Sequence, residues 1–175
     1  MKKPVIKMFK EEEIVVYGRT GLCKISSIED KAFSITSRLK TRCYVLKPLG
    51  DVSSTVFVPV DNERLVSNMR YTLSKKEIDS LILAASKTEL EWNEDRRQRF
   101  EDFREILSQG ITARLIAMIR CLAEKKKELL TQGKKLCLSD EGAFNEAKQM
   151  INEEFSYSLD ILPDEVEAYV VARIE

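Results

Sequence analysis

The chain of 175 residues contains no histidine. Histidine is the commonest general base and the commonest metal ligand in proteins, so its absence excludes a serine–histidine catalytic pair. The four cysteines are far apart and form no C-x-x-C pair, which argues against a structural zinc site. The closely spaced Gly18 and Gly21 lack the lysine and serine of a phosphate-binding loop. We therefore predict a protein that is not an enzyme and binds neither a metal nor a cofactor.

Long apolar runs are also missing. No stretch approaches the roughly 20 apolar residues that a membrane-spanning helix needs. The basic residues 1–7 are not followed by the apolar segment of a signal peptide. We therefore expect a cytoplasmic location, where disulfide bonds rarely persist.

Net charge is zero, because 29 lysines and arginines balance 29 acidic residues. The charges are nevertheless unevenly spread. Residues 1–72 have a net charge of +5 (13 basic against 8 acidic) and residues 112–138 again +5 (7 against 2), whereas residues 139–175 have −8 (2 against 10). This is not the composition of a free-standing DNA-binding protein, so any contact with nucleic acid is expected to be weak or assisted.

The N-terminal third of the chain has the pattern of an all-β domain. Short β-branched and aromatic runs alternate with turns that contain glycine, proline or charged residues. Such close spacing predicts a small, strongly bent five-stranded sheet or barrel of the SH3 or Tudor type. The five predicted strands are residues 14–17, 22–28, 33–36, 43–47 and 55–58.

From Tyr71 onwards the pattern becomes helical. Ser74 and Glu77 form a capping box at the start of the first helix. Apolar residues then recur at helical spacing in about five segments, with Gly110 placed to end the second of them and Ser139 to begin the fourth. We predict an α+β protein of two domains, a β domain at 1–70 and an all-α domain at 71–175.

The only tryptophan lies next to a cluster of arginines. Asn93 is the predicted N-cap of a helix whose apolar positions start at Phe100, which leaves Trp92 just outside that helix. The usual apolar partner at position N4 is replaced by Arg97. Trp92 is therefore either an anchor of the core or a ring that points outward, and this local pattern leaves both open.

A second basic cluster follows on the third predicted helix. Its basic positions run from Arg114 through Arg120 and Lys125 to Lys135. Such a face is either simply solvated or tracks nucleic-acid phosphates together with Arg96, Arg97 and Arg99. A basic patch beside an apolar ring is typical of a minor-groove wedge or a base-stacking site.

The order of several short motifs resembles the CarD/CdnL family of bacterial RNA polymerase-binding transcription regulators. The N-terminal half is also similar to the polymerase-interacting domain of transcription-repair coupling factor. The motifs that carry the resemblance, over about residues 9 to 160, are Phe9, 14–17, Gly21, 25–29, 44–46, 56–59, Trp92-Asn93 with Arg96-Arg97, 107–110, 120–122, 135–141 and Ala147.

The resemblance implies that the Tudor-like domain docks on the protrusion of the polymerase β subunit through an exposed sheet edge. By position, that contact would come from a small set of residues in this chain. The set is Lys31, Phe33, Thr55, Val56, Phe57 and Val58.

The resemblance also implies a role for the helical domain. Trp92 would be exposed and would wedge into the minor groove of promoter DNA at the upstream edge of the melted bubble, stabilising the open complex. The DNA contacts would then be Trp92, Arg96, Arg97, Arg99, Arg114, Arg120 and Lys125. We expect a monomer.

One departure from the family concerns the positions two and three after the tryptophan. They are often basic in the family and are Glu94 and Asp95 here. Two alternatives therefore stay open: a polymerase-binding adaptor without DNA contact, with Trp92 in the core, and an interaction module unrelated to polymerase.

Overall fold

The computed structural model describes residues 8–32, 40–51, 53–85 and 87–174. The chain forms two compact units, Met1–Thr72 and Leu73–Glu175. The first contains a five-stranded antiparallel sheet and the second contains α-helices, so the predicted α+β class is confirmed. No helix in the described ranges combines the length and apolar character needed to span a membrane.

The sheet of the first unit has the strand order β4-β3-β2-β1-β5. Gly18 and Gly21, with φ of 44° and 78°, allow the sharp connection between the first two strands. A short helix, α1 (Glu63–Val66), leads into the last strand. The strands are β1 (Ile14–Tyr17), β2 (Gly21–Lys31), β3 (Thr41–Pro48), β4 (Val56–Pro59) and β5 (Met69–Tyr71).

The core of this unit forms on one face of the bent sheet. Tyr44 is almost fully buried, its ring packs edge-on against Phe9 at 5.9 Å, and its hydroxyl accepts the backbone N–H of Phe9 at 3.4 Å. Val15, Ile25 and Val58 are completely buried in the same cluster. The apolar positions of all five described strands thus meet in one small core.

One strand of the sheet, β5, was not predicted from the sequence. It pairs antiparallel with β1, with Val16 opposite Arg70. The predicted strand 33–36 lies outside the described residues. A strand of three residues has too few positions to show an alternating pattern.

The second unit packs five α-helices around a separate apolar core. Among its most buried side chains are Ile82, Ile106, Met118, Leu122 and Phe155. A short 3₁₀ turn at Pro163–Glu165 precedes the last helix. The helices are α2 (Lys75–Ala85), α3 (Arg96–Gln109), α4 (Thr112–Thr131), α5 (Leu138–Leu159) and α6 (Val166–Ile174).

Two of the predicted helix ends are confirmed. The capping box at α2 is complete, because the Glu77 carboxylate accepts the Ser74 backbone N–H at 2.8 Å and Ser74 Oγ accepts the Glu77 N–H at 3.4 Å. The Ser74 hydroxyl also donates to the Glu77 carboxylate at 2.7 Å, and this bond together with the one from the Ser74 backbone N–H lowers the pKa of Glu77. Gly110 ends α3 in the left-handed region, with φ of 60°.

Two predicted helix starts are wrong. Asp95, not Asn93, is the N-cap of α3, since its Oδ1 accepts the N–H groups of Arg97 and Gln98 at 2.9 and 3.0 Å. Asn93 Oδ1 instead accepts the Asp95 N–H at 3.0 Å, forming a turn before the helix. Likewise, α5 begins at Leu138, so Ser139 lies inside its first turn.

Candidate functional sites: a tryptophan loop and a sheet edge

Trp92 lies in the loop between α2 and α3 and is partly buried. Its ring packs against the helical core, with its centroid 6.4 Å from that of Phe103 and the planes tilted by 58°. Its Nε1–H is buried and has no acceptor within the described part of the chain. Trp92 is therefore neither the fully exposed ring that the resemblance implies nor a fully buried anchor.

Two cationic side chains contact the indole. The Arg99 guanidinium carbon lies 4.0 Å from the ring centroid and Lys125 Nζ lies 5.3 Å from it, both within the range of cation–π attraction. Lys125 Nζ also forms ion pairs with Glu128 at 3.1 Å and Glu94 at 3.4 Å. Its hydrogen bond to Glu128 and the charge of both carboxylates raise the pKa of Lys125.

Arg99 is buried, with only 6% of its surface exposed. Its Nη2 donates to Asp140 Oδ2 at 2.9 Å and its Nε to Asp140 Oδ1 at 3.4 Å. Its Nη1 donates to the backbone carbonyls of Asn93 at 2.5 Å and Glu94 at 3.4 Å. Burial opposes the positive charge, but the bonds and charge of Asp140 outweigh it and raise the pKa of Arg99.

The prediction that Arg99 binds DNA phosphates is therefore corrected. Arg99 lies four residues before Phe103 and seven before Ile106, so it falls on the buried face of α3. Phe100, which was expected on that face, is instead 50% exposed.

The other predicted DNA contacts divide into two kinds. Arg96 and Arg97 are exposed in the first turn of α3, and Arg114 is exposed near the start of α4. Arg97 Nε lies 3.6 Å from Glu101 Oε1, and Arg114 Nη1 lies 3.8 Å from Glu105 Oε1. Arg96 makes no side-chain hydrogen bond or ion pair with any described residue. These three guanidinium groups can reach a phosphate.

Arg120 is half-buried and acts within the helical unit. Its Nη1 donates to the backbone carbonyl of Ala85 at 2.6 Å, and its Nη2 lies 3.9 Å from Glu124 Oε1. Ala85 is the last residue of α2, where carbonyls lack partners within the helix, and its carbonyl also accepts the Thr88 backbone N–H at 3.2 Å. Arg120 therefore closes the C-terminus of α2 from the neighbouring helix.

Strand β4 forms one edge of the sheet, paired in the described part of the chain with β3. Phe57 is half-buried, and Lys31 Nζ at the end of β2 lies 4.8 Å from the centre of its ring. Val58 is completely buried opposite Tyr44, so its side chain faces the core. Thr55 is exposed and Val56 half-buried, whereas the predicted contact Phe33 lies outside the described residues.

Residues 9–70 match the family model of the CarD-like/TRCF RID domain. The first unit is a CarD-like domain. The matched range begins at Phe9 in the core and covers strands β1 to β4 and the first two residues of β5. This match confirms the resemblance inferred from the short β motifs. No curated protein matches the chain.

The family match makes the CarD-like domain an RNA polymerase-interacting module at the level of the family. The match ends at residue 70, so the helical unit with Trp92 lies outside it. The roles predicted for residues of both units remain predictions.

Sequence reasoning missed Asp140 and the backbone carbonyls of Asn93 and Glu94. These groups surround Arg99 and join the N-terminus of α5 to the loop that carries Trp92. The only available signal was the position of Arg99 on the same helical face as Phe103. In the described ranges, no cluster of three or more cysteine or carboxylate side chains could hold a metal ion.

Proposed function

We propose that this protein regulates transcription initiation without catalysing a reaction. In this proposal the CarD-like domain binds the protrusion of the RNA polymerase β subunit. The helical unit contacts the minor groove of promoter DNA at the upstream edge of the melted bubble, and Trp92 stabilises the open complex there. The observation that carries the proposal is the CarD-like match over residues 9–70.

The edge position of β4 supports the contact with polymerase. Addition of a strand to a sheet edge joins two proteins through backbone hydrogen bonds, and neighbouring side chains supply specificity. Phe57, with the Lys31 ammonium over its ring, offers an apolar surface and a positive charge beside this edge. Val58 contributes only through its backbone, because its side chain lies in the core.

The surroundings of Trp92 support the contact with DNA. The ring is partly accessible, and the exposed Arg96 and Arg97 follow it closely in sequence. Its Nε1–H has no acceptor within the described part of the chain, so contact of the ring with a groove breaks no hydrogen bond of this group. Insertion of an apolar ring between base steps is a known way of holding DNA in a kinked or unstacked state.

Tethering to polymerase makes a weak DNA contact sufficient. The chain has no net charge, and its exposed arginines near Trp92 are few. Binding of the CarD-like domain converts the DNA contact into an intramolecular event at high effective concentration. A neutral protein can therefore act on promoter DNA when it arrives with polymerase.

A second candidate is a polymerase-binding adaptor that never touches DNA. The observation in its favour is that Trp92, Arg99, Arg120 and Lys125 all make contacts within the helical unit. In this case Trp92 serves to pack the loop before α3.

Open-complex lifetime on a ribosomal-RNA-type promoter separates the two candidates. We expect the wild-type protein to lengthen the lifetime, and Trp92→Ala to bind polymerase equally well without this effect. Tyr157→Ala, which removes an exposed aromatic ring elsewhere in the helical unit, is the control and should behave like wild type. Equal lengthening by wild type and Trp92→Ala would support the adaptor, and no effect of the wild type would contradict both candidates.

A further inference from the structure

The buried ion pair between Arg99 and Asp140 lies directly beneath the loop that carries Trp92. The guanidinium of Arg99 uses one side for the Asp140 carboxylate, one nitrogen for the carbonyls of Asn93 and Glu94, and one face for the indole ring. Two carbonyls and the indole of the loop and one carboxylate of α5 thus all contact a single side chain.

We propose that Asp140, acting through Arg99, is a positioning residue that holds the Trp92 loop in the conformation used for DNA contact. This inference rests on the proposed function of Trp92. It assigns to α5, which makes no DNA contact in that proposal, control over the geometry of the ring.

The burial of the pair argues that it does more than stabilise the fold. Asp140 is 2% exposed and Arg99 6%. Burying two charges is costly, and an apolar pair of similar size often serves stability as well or better. An apolar pair has no N–H group to donate to the carbonyls of Asn93 and Glu94. Those two carbonyls would then lie near the core without a hydrogen-bond partner.

The geometry also requires arginine rather than another cation. The guanidinium fork matches a carboxylate with two parallel N–H groups and leaves further N–H groups for other acceptors. A lysine ammonium at this position would keep the charge but could not stack its flat face on Trp92. Asp140 is fixed in turn by its place in the first turn of α5 and by the Cys137 thiol, which donates to Oδ2 at 3.0 Å.

Lysine-glutamate contacts add a weaker restraint on the same loop. Lys125 Nζ lies 3.4 Å from Glu94 Oε1 and 5.3 Å from the centre of the indole ring. Glu94 is largely exposed, so water competes with that ion pair. Arg99 and Asp140 are shielded from water, which makes them the stronger determinant of loop geometry.

The test uses the full-length protein and three variants. Asp140→Asn weakens the pair without removing Arg99 from the ring. The double variant Arg99→Met with Asp140→Leu replaces the pair by apolar side chains of similar size. Glu141→Gln is the matched control, because Glu141 is the next residue of α5 and pairs with Lys126 on α4 at 2.7 Å.

Fluorescence of the single tryptophan reports its environment in the free protein. We expect longer emission wavelengths and stronger quenching by acrylamide in Asp140→Asn and in the double variant, with a melting temperature of the double variant close to wild type. With polymerase and promoter, both should shorten the open-complex lifetime about tenfold, the size expected when hydrogen bonds to a charged group are lost. Glu141→Gln should match wild type in every measurement.

Two outcomes would overturn the inference. One is a double variant with wild-type fluorescence and wild-type lifetime, because the pair would then only fill space. The other is a double variant that melts far below wild type, because the pair would then be needed for the fold itself. If fluorescence responds as expected but wild type has no effect on lifetime, the positioning of Trp92 stands and the proposed DNA function fails.

Discussion

Arg120 and Arg96 are both arginines of the helical unit, but we expect their substitution by glutamine to affect different properties. Arg120→Gln should lower the free energy of unfolding, and Arg96→Gln should weaken the contact with DNA. Arg120 donates to the terminal carbonyl of α2, whereas Arg96 is exposed and has no side-chain partner among the described residues. Loss of a hydrogen bond from a charged donor costs about 1.5–3 kcal/mol, and the partial exposure of Arg120 reduces this to about 1–2 kcal/mol. Arg96→Gln should change stability by less than about 0.5 kcal/mol.

For DNA binding, we expect Arg96→Gln and not Arg120→Gln to have an effect. A phosphate contact contributes about 0.9 to the slope of log affinity against log salt concentration, so Arg96→Gln should lower that slope by roughly this amount. Arg120→Gln should leave the slope unchanged. The slope is measured for promoter binding by the complex with polymerase, and stability by urea denaturation of the free protein. An Arg120→Gln protein of wild-type stability with a reduced slope would refute the structural role that we assign to Arg120.

Two further predictions concern the fold. Gly142 and Gly133 both have open space where a side-chain methyl group would lie, but only Gly133 has a positive φ, of 68°. Urea denaturation should therefore show that Gly142→Ala stabilises the protein, through α5, by roughly 0.5–1 kcal/mol. Gly133→Ala should destabilise the protein by about 1 kcal/mol. A loss of stability in Gly142→Ala would contradict the first of these expectations. Burial raises the pKa of the Cys23 thiol from 9.0 to about 11. As the pH rises through this range, the thiol therefore ionises in the unfolded chain before it ionises in the folded one. The stability of the CarD-like domain should fall between those pH values. Thermal melts across this range should lose that dependence in Cys23→Ala.

The sequence predicts a helix cap correctly where only one nearby side chain can act as the cap. Ser74 and Glu77 can satisfy each other, and the predicted capping box is present. Asn93 and Asp95 are both good caps, and the choice between them depends on which oxygen reaches the amides of α3. Asn93 closes the preceding turn, so Asp95 begins the helix.

The role of Arg99 could not be read from local pattern. An arginine on an apolar helix face is buried only if a partner neutralises it, and that partner lies 41 residues away at Asp140. Without knowledge of this contact, Phe100 is the natural choice for the apolar face and Arg99 for the surface. The same limit applies to Arg120, whose acceptor lies on another helix.

Strand order depends on similar long-range information. The pattern of Val56-Phe57-Val58 predicts a strand, while its place at the edge of the sheet follows from its pairing with β3. The resemblance supplied that placement in advance. Residues Met69–Tyr71 gave no signal, because their structure depends on β1, which lies far earlier in the chain.

The carboxylates beside the exposed arginines have a consequence for how long the protein would remain on DNA. Glu101 and Glu105 already neighbour Arg97 and Arg114, so an incoming phosphate must displace an attached competitor instead of water alone. When the phosphate leaves, Glu101 and Glu105 can pair with Arg97 and Arg114 again. We expect such a surface to give each phosphate contact a short residence time, which suits the proposed role at a promoter that polymerase must later leave.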